Sequence, residues 1–88
     1  MSGNFVYFNA VDGNIRITIG EQVTEIPAAG VDYAENDVTD ALIDMSANPD
    51  DDFFCSSDVD FCREAGFADG EAGAIIQKAI DQLEMTLG

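Results

Sequence analysis

The sequence predicts an α+β fold: an N-terminal three-stranded antiparallel meander (about residues 4–11, 14–19 and 22–27) packed against two to three helices (about 33–46, 49–65 and 70–87). Three observations predict it. Aromatic and β-branched residues alternate with polar ones near the N-terminus, two turn dipeptides divide that stretch, and apolar residues then recur at helical spacing. At 88 residues the chain makes one small acidic domain, and a chain of this size buries only about 60% of the surface it exposes when unfolded. A large catalytic cleft within one subunit is not expected.

Phe5 to Val11 is aromatic and β-branched, and it ends at Asp12-Gly13, a strong two-residue hairpin signal. Asn14 to Ile19 alternates Ile15, Ile17 and Ile19 with polar residues. A second turn at Gly20-Glu21 leads into Gln22 to Ile26, stopped by Pro27. Two-residue loops then fix the register. Ala10 faces Ile15, Phe8 faces Ile17, Val6 faces Ile19 and Ile15 faces Ile26 on the core side. The other side shows Phe5, Tyr7, Thr18 and Val23, with Arg16 opposite Glu25 as a cross-strand pair worth roughly a few tenths of a kcal/mol. Phe5 and Tyr7 are a candidate second partner patch, one on which a homo-oligomer would be built.

After Ala28-Ala29-Gly30, Asp32 with Glu35 three residues on forms a capping-box pattern for the first helix. Its apolar stripe is Ala34, Val38, Ala41, Leu42 and Met45. Asn48-Pro49 followed by Asp50, Asp51 and Asp52 has the cap, the first-position proline and the first-turn acids of a second helix start. That helix carries Phe53, Phe54, Phe61 and Ala65, with a break and a new cap at Ser57 as the alternative. Gly66 ends it, and Asp69 caps a last helix whose stripe is Ala72, Ile76, Ala79, Ile80, Leu83 and Leu87.

Eighteen acids against three bases give a formal charge of −15. With 47% hydrophobic residues the chain can still offset its ordering entropy, so a fold rather than disorder is expected. Residues 32–71 hold thirteen of the acids and only Arg63 against them, a net of −12. Direct nucleic-acid and anionic-membrane contacts are disfavoured by such a field. No stretch approaches the roughly 18 apolar residues of a membrane span, and Met1-Ser2-Gly3-Asn4 lacks the parts of a secretion signal, so a cytoplasmic protein is expected.

Catalysis is not expected either. There is no histidine, the single lysine falls on a solvent stripe, and no Ser or Cys has an adjacent base. No metal or other cofactor site is read. Counting an EF-hand loop from Asp58 puts Arg63 where glycine is required and Asp69 where a bidentate glutamate belongs. Cys55 and Cys62 without histidine cannot assemble a Cys/His zinc site. On one continuous helix their Cα atoms stand about 10 Å apart, too far for a disulfide, whereas a break near Ser56-Ser57 leaves one open. Buried thiols are the expectation.

The acidic surface itself is the candidate site. Asp37, Asp40 and Asp44 line one face of the first helix at intervals of about 5 to 6 Å, and Asp50, Asp51, Asp52, Asp58, Asp60 and Glu64 extend the negative region. A row of carboxylates presents to an Arg- and Lys-lined groove what a row of phosphates presents. In charge, length and α+β reading, over these middle forty residues, the chain resembles the small acidic DNA-mimic inhibitors that phages and mobile elements direct against restriction, CRISPR and repair proteins. That resemblance implies a non-enzymatic inhibitor of anti-restriction or anti-CRISPR type, acting in the host cytoplasm. Its partner would be a basic nucleic-acid-binding protein whose cationic groove it occupies. Two other classes fit the composition: a halophile-adapted small protein, since twelve Asp and six Glu accompany one Lys, and an oligomerising structural protein.

Overall fold

A computed structural model of the chain describes residues 5–28 and 31–87, apart from the side chains of residues 31–33, 58 and 87. Its elements run β1 (Phe5–Val11), β2 (Asn14–Ile19), β3 (Gln22–Pro27), α1 (Val31–Asp44), β4 (Asp52–Cys55), α2 (Asp58–Ala65) and α3 (Glu71–Leu87). The fold is α+β. One sheet takes all four strands in the order β3-β2-β1-β4.

The meander has the expected register, with Val6 opposite Ile19, Phe8 opposite Ile17, Ala10 opposite Ile15 and Ile15 opposite Ile26. Turn chemistry explains why. Asp12 and Gly13 both have positive φ, 50° and 80°, as a type I′ turn requires, and Gly20 at 60° opens a II′ turn. Both turns match the right-handed twist of the strands they join. The first is also tied down, because the Gly13 N–H donates to the Glu64 carbonyl at 2.9 Å, at the end of α2.

The helix expected over 49–65 is two elements. Residues 52–55 form β4, parallel to β1, with Val6 beside Phe53 and Tyr7 beside Phe54, and the ladder continues where the Ser56 N–H donates to the Phe8 carbonyl at 3.0 Å. Phe53-Phe54-Cys55 favours strand locally, and pairing satisfies a β1 edge that would otherwise present unpaired backbone groups. The chain then breaks and re-enters helix after Ser57, which makes no side-chain cap hydrogen bond. Cys62 is buried as expected, Cys55 is exposed at the end of β4, and both are thiols.

All three helices lie on one side of the sheet. There Val6, Phe8, Ile15, Ile17 and Ile19 are buried against the α1 stripe (Ala34, Val38, Ala41, Leu42, Met45), Phe61, Cys62 and Ala65 of α2, and Ala72, Ile75, Ile76, Ala79 and Leu83 of α3. Ile75 joins the expected α3 stripe, Ile80 is only partly buried, and the Leu87 side chain lies outside the described residues. The Asp32 side chain, expected to cap α1, also lies outside them.

The cap of α3 differs from expectation. Gly70, at φ +84°, precedes the helix, the Glu71 N–H donates to the Ala68 carbonyl at 3.1 Å, and Glu71 Oε1 accepts the Ala68 N–H at 2.5 Å. The Glu71 carboxylate thus closes the turn that leads into α3, and Asp69, assigned as its cap, is exposed in mid-turn.

The end of α1 is a Schellman motif. The Ala47 N–H donates to the Leu42 carbonyl and the Ser46 N–H to the Ile43 carbonyl, at 2.9 and 3.0 Å, which forces Ser46 to φ 61°. A Cβ there is strained. Ser46→Gly is expected to raise stability by about 0.5 kcal/mol, the relief of left-handed strain less the extra freedom glycine gives the unfolded chain. A urea midpoint that stays put or falls would contradict this account of the cap.

Candidate functional site

The helix that buries Ala34, Val38, Ala41 and Leu42 must turn its other side to water, and Asp37, Asp40 and Asp44 stand there, all exposed. Their spacing of three and then four residues makes them successive neighbours on one face, with side chains about 5 to 6 Å apart. No basic residue lies in the last turn of α1. The field of the row is thus uncompensated by its own helix.

The remaining predicted carboxylates fall elsewhere. Asp50 is exposed in the turn before β4, and Asp52 is exposed in β4 itself. Asp60 and Glu64 are exposed on α2, where Arg63 comes within 4.0 Å of Asp60. The Asp58 side chain lies outside the described residues. Since α1 packs on α3 and β3 while α2 packs on β1 and α3, the acidic positions divide between separate parts of the surface.

Asp51 does not belong to that surface. It is 6% exposed, and its Oδ2 accepts the Asn48 N–H at 2.9 Å, while the Asp51 N–H donates back to the Asn48 carbonyl at 3.0 Å. The carboxylate closes the turn that launches β4, a local role in which short acidic side chains compete with helix formation.

Beside the α1 row lies a feature the sequence reading missed, an open groove of about 420 Å³ between α1 and α3. Thr39, Asp40 and Ile43 line one wall and Gln82, Met85 and Thr86 the other. Its floor is held by the buried Thr39 hydroxyl, whose oxygen lies 2.9 Å from the Glu35 carbonyl oxygen and 2.8 Å from Gln82 Oε1; its single proton is donated to one or the other, and in the second case it links the two helices. Ile43 and Met85 are exposed at its rims, and Asp40 belongs to both the groove and the acid row. The one sequence signal was that Ile43 and Met85 fall off the apolar stripes of their helices.

Phe5 and Tyr7 are exposed on the far side of the sheet, with Phe54 beside them; the Phe5 and Phe54 ring centroids are 5.6 Å apart. The predicted pair is present there too, Arg16 Nη2 lying 3.1 Å from Glu25 Oε2. Among the described residues no three Cys, Asp or Glu side chains gather as metal ligands would, and no helix is long and apolar enough to cross a membrane. The site can therefore offer carboxylates in a row, beside an apolar-rimmed groove, to a cationic surface. Compared with known protein families, with curated proteins and with solved structures, the chain matches none, and its function is read from its own surface.

Proposed function

We propose that this chain is a non-enzymatic acidic inhibitor, encoded by a phage or mobile element, that acts as a DNA mimic by occupying the cationic nucleic-acid groove of a host protein. The observation that carries the reading is the exposed row Asp37, Asp40 and Asp44 along α1. Seven residues of helix rise span about 10 Å, so the row sets one charge about every 5 Å. A nucleic-acid strand sets one about every 3.4 Å, and a duplex one about every 1.7 Å. In charge spacing the row approaches one strand of a duplex. Exposed Ile43 and Met85 beside it add apolar contact that phosphates lack, and such contact would let an inhibitor compete with DNA despite carrying fewer charges.

The test is competition. Proteins captured from a host lysate by the immobilised chain at about 50 mM salt are expected to elute as salt rises, because the attraction is screened within a Debye length. The captured protein's binding to duplex DNA is then titrated with this chain. Displacement of the DNA supports the proposal; an undisturbed protein–DNA complex overturns it. Folding measured across the same salt range separates this reading from halophile adaptation. A mimic is fully folded at low salt, whereas a chain that folds only as salt approaches about 1 M owes its acids to its solvent.

A further inference from the structure

We infer that the outer face of the sheet is the surface by which two copies of this chain form a weak two-fold dimer. The helices all lie on the opposite side, and no described element covers this one. Phe5, Val23, Phe54 and Tyr7 are 67%, 56%, 51% and 43% exposed on it, with Thr18 between Val23 and Tyr7 and an aromatic pair of Phe5 and Phe54 at one end.

Charge selects the occupant. Of the acids in the strands that form this face, Glu25 and Asp52 point to it, and Glu25 is paired with Arg16, so the face carries a net of −1 in a chain of −15. A basic partner is drawn instead to α1 and α2. Another copy of this chain is repelled least here, where stacking sheet on sheet turns both sets of acidic helices outward.

The strand register supplies self-complementarity. Val23, Thr18, Tyr7 and Phe54 align in one row across β3, β2, β1 and β4. A two-fold axis parallel to the strands, between β1 and β2, lays this row on its own reverse. Val23 then meets the partner's Phe54 and Thr18 meets the partner's Tyr7, large against small in both pairs. In the next row Arg16 meets the partner's Asn9. At the rim Asp52 comes over the partner's β2–β3 turn, which contains Glu21.

The size of the face sets the strength. Four strands about 4.8 Å apart, and some five residues long at about 3.4 Å each, make a plan area of roughly 300 to 350 Å². A standard interface buries about 800 Å² per partner, so this one belongs with weak, transient contacts, for which a dissociation constant on the order of 100 μM is expected.

Sedimentation equilibrium of the full chain from about 10 μM to 1 mM is expected to show a monomer–dimer equilibrium, tighter at high salt than at low because screening relieves repulsion between two acidic copies. That salt dependence is opposite in sign to the one expected for a cationic partner on α1, so the two proposals fail separately. Phe54→Ser is expected to raise the dissociation constant about 30-fold, the scale of an interfacial aromatic. Val23→Lys and Phe54→Glu are each expected to dissociate the dimer, and their combination to restore it, because the new cation and anion meet across the two-fold. Within one chain those positions are three strands apart. A chain monomeric at 1 mM, a dimer indifferent to these substitutions, or a face that engages a different protein instead would each overturn the inference.

Discussion

Replacing Asp37, Asp40 and Asp44 together by Asn is expected to weaken binding to the cationic target by about 3- to 150-fold at low salt while leaving the fold as stable as before or slightly more so. Exposed ion pairs contribute roughly 0.2–1 kcal/mol each, so three lost at once come to about 0.6–3 kcal/mol, and tenfold in affinity corresponds to about 1.4 kcal/mol. The stability side has the opposite sign. Removing like charges three and four residues apart relieves roughly a few tenths of a kcal/mol of repulsion per pair. Calorimetric titration and urea denaturation of the same variant read both quantities. Target affinity unchanged by the triple substitution would remove α1 from the interface. Lost affinity accompanied by lost stability would point to a damaged fold instead.

Phe8→Ala is expected to cost about 3–5 kcal/mol, the largest effect of any single truncation considered for this chain. Phe8 is fully buried in β1, the strand paired on both sides, and its ring stacks on Phe53 with centroids 6.2 Å apart. Stability of roughly 0.05–0.15 kcal/mol per residue gives a domain of this length only about 4–13 kcal/mol in total. The substitution should therefore remove at least about a quarter of that total, and at the lower end all of it, read as a fall in the urea midpoint. A loss below about 1 kcal/mol would show that the cavity collapses and that the β1–β4 seam is less well packed than its geometry indicates.

The meander could be read from sequence because its determinants are local. Asp12-Gly13 and Gly20-Glu21 choose the turn types, and alternation of period two then fixes which side Ile15, Ile17 and Ile19 take. β4 could not be read this way. Its partner is β1, some 47 residues earlier at Phe5 and Asp52, and a parallel pairing at that distance leaves no periodic trace in the four residues that make it. The helix-start signature of Asn48-Pro49 was genuine turn chemistry, used here to begin a strand.

The candidate site was legible in part for a similar reason. Helical spacing predicts that Asp37, Asp40 and Asp44 share a face, and they do. In the run Asp50-Asp51-Asp52 composition cannot tell the residues apart. Tertiary packing separates them, burying Asp51 over the Asn48 N–H while its two neighbours face water. The groove between α1 and α3 depends on how two helices distant in sequence cross, so only the odd placement of Ile43 and Met85 hinted at it.

The parallel β1–β4 pair has a consequence for synthesis. When β1 to β3 have left the ribosome, β1 still lacks the strand that completes its outer edge, and α1 must be made before that strand appears. At about 5–20 residues per second, the 28 residues from the end of β3 to the end of β4 take about 1–6 s. For those seconds the nascent chain displays an open strand beside an uncovered row of isoleucines, while most of its acids are still untranslated. The charge that opposes aggregation of the finished protein arrives only after the segment most prone to it.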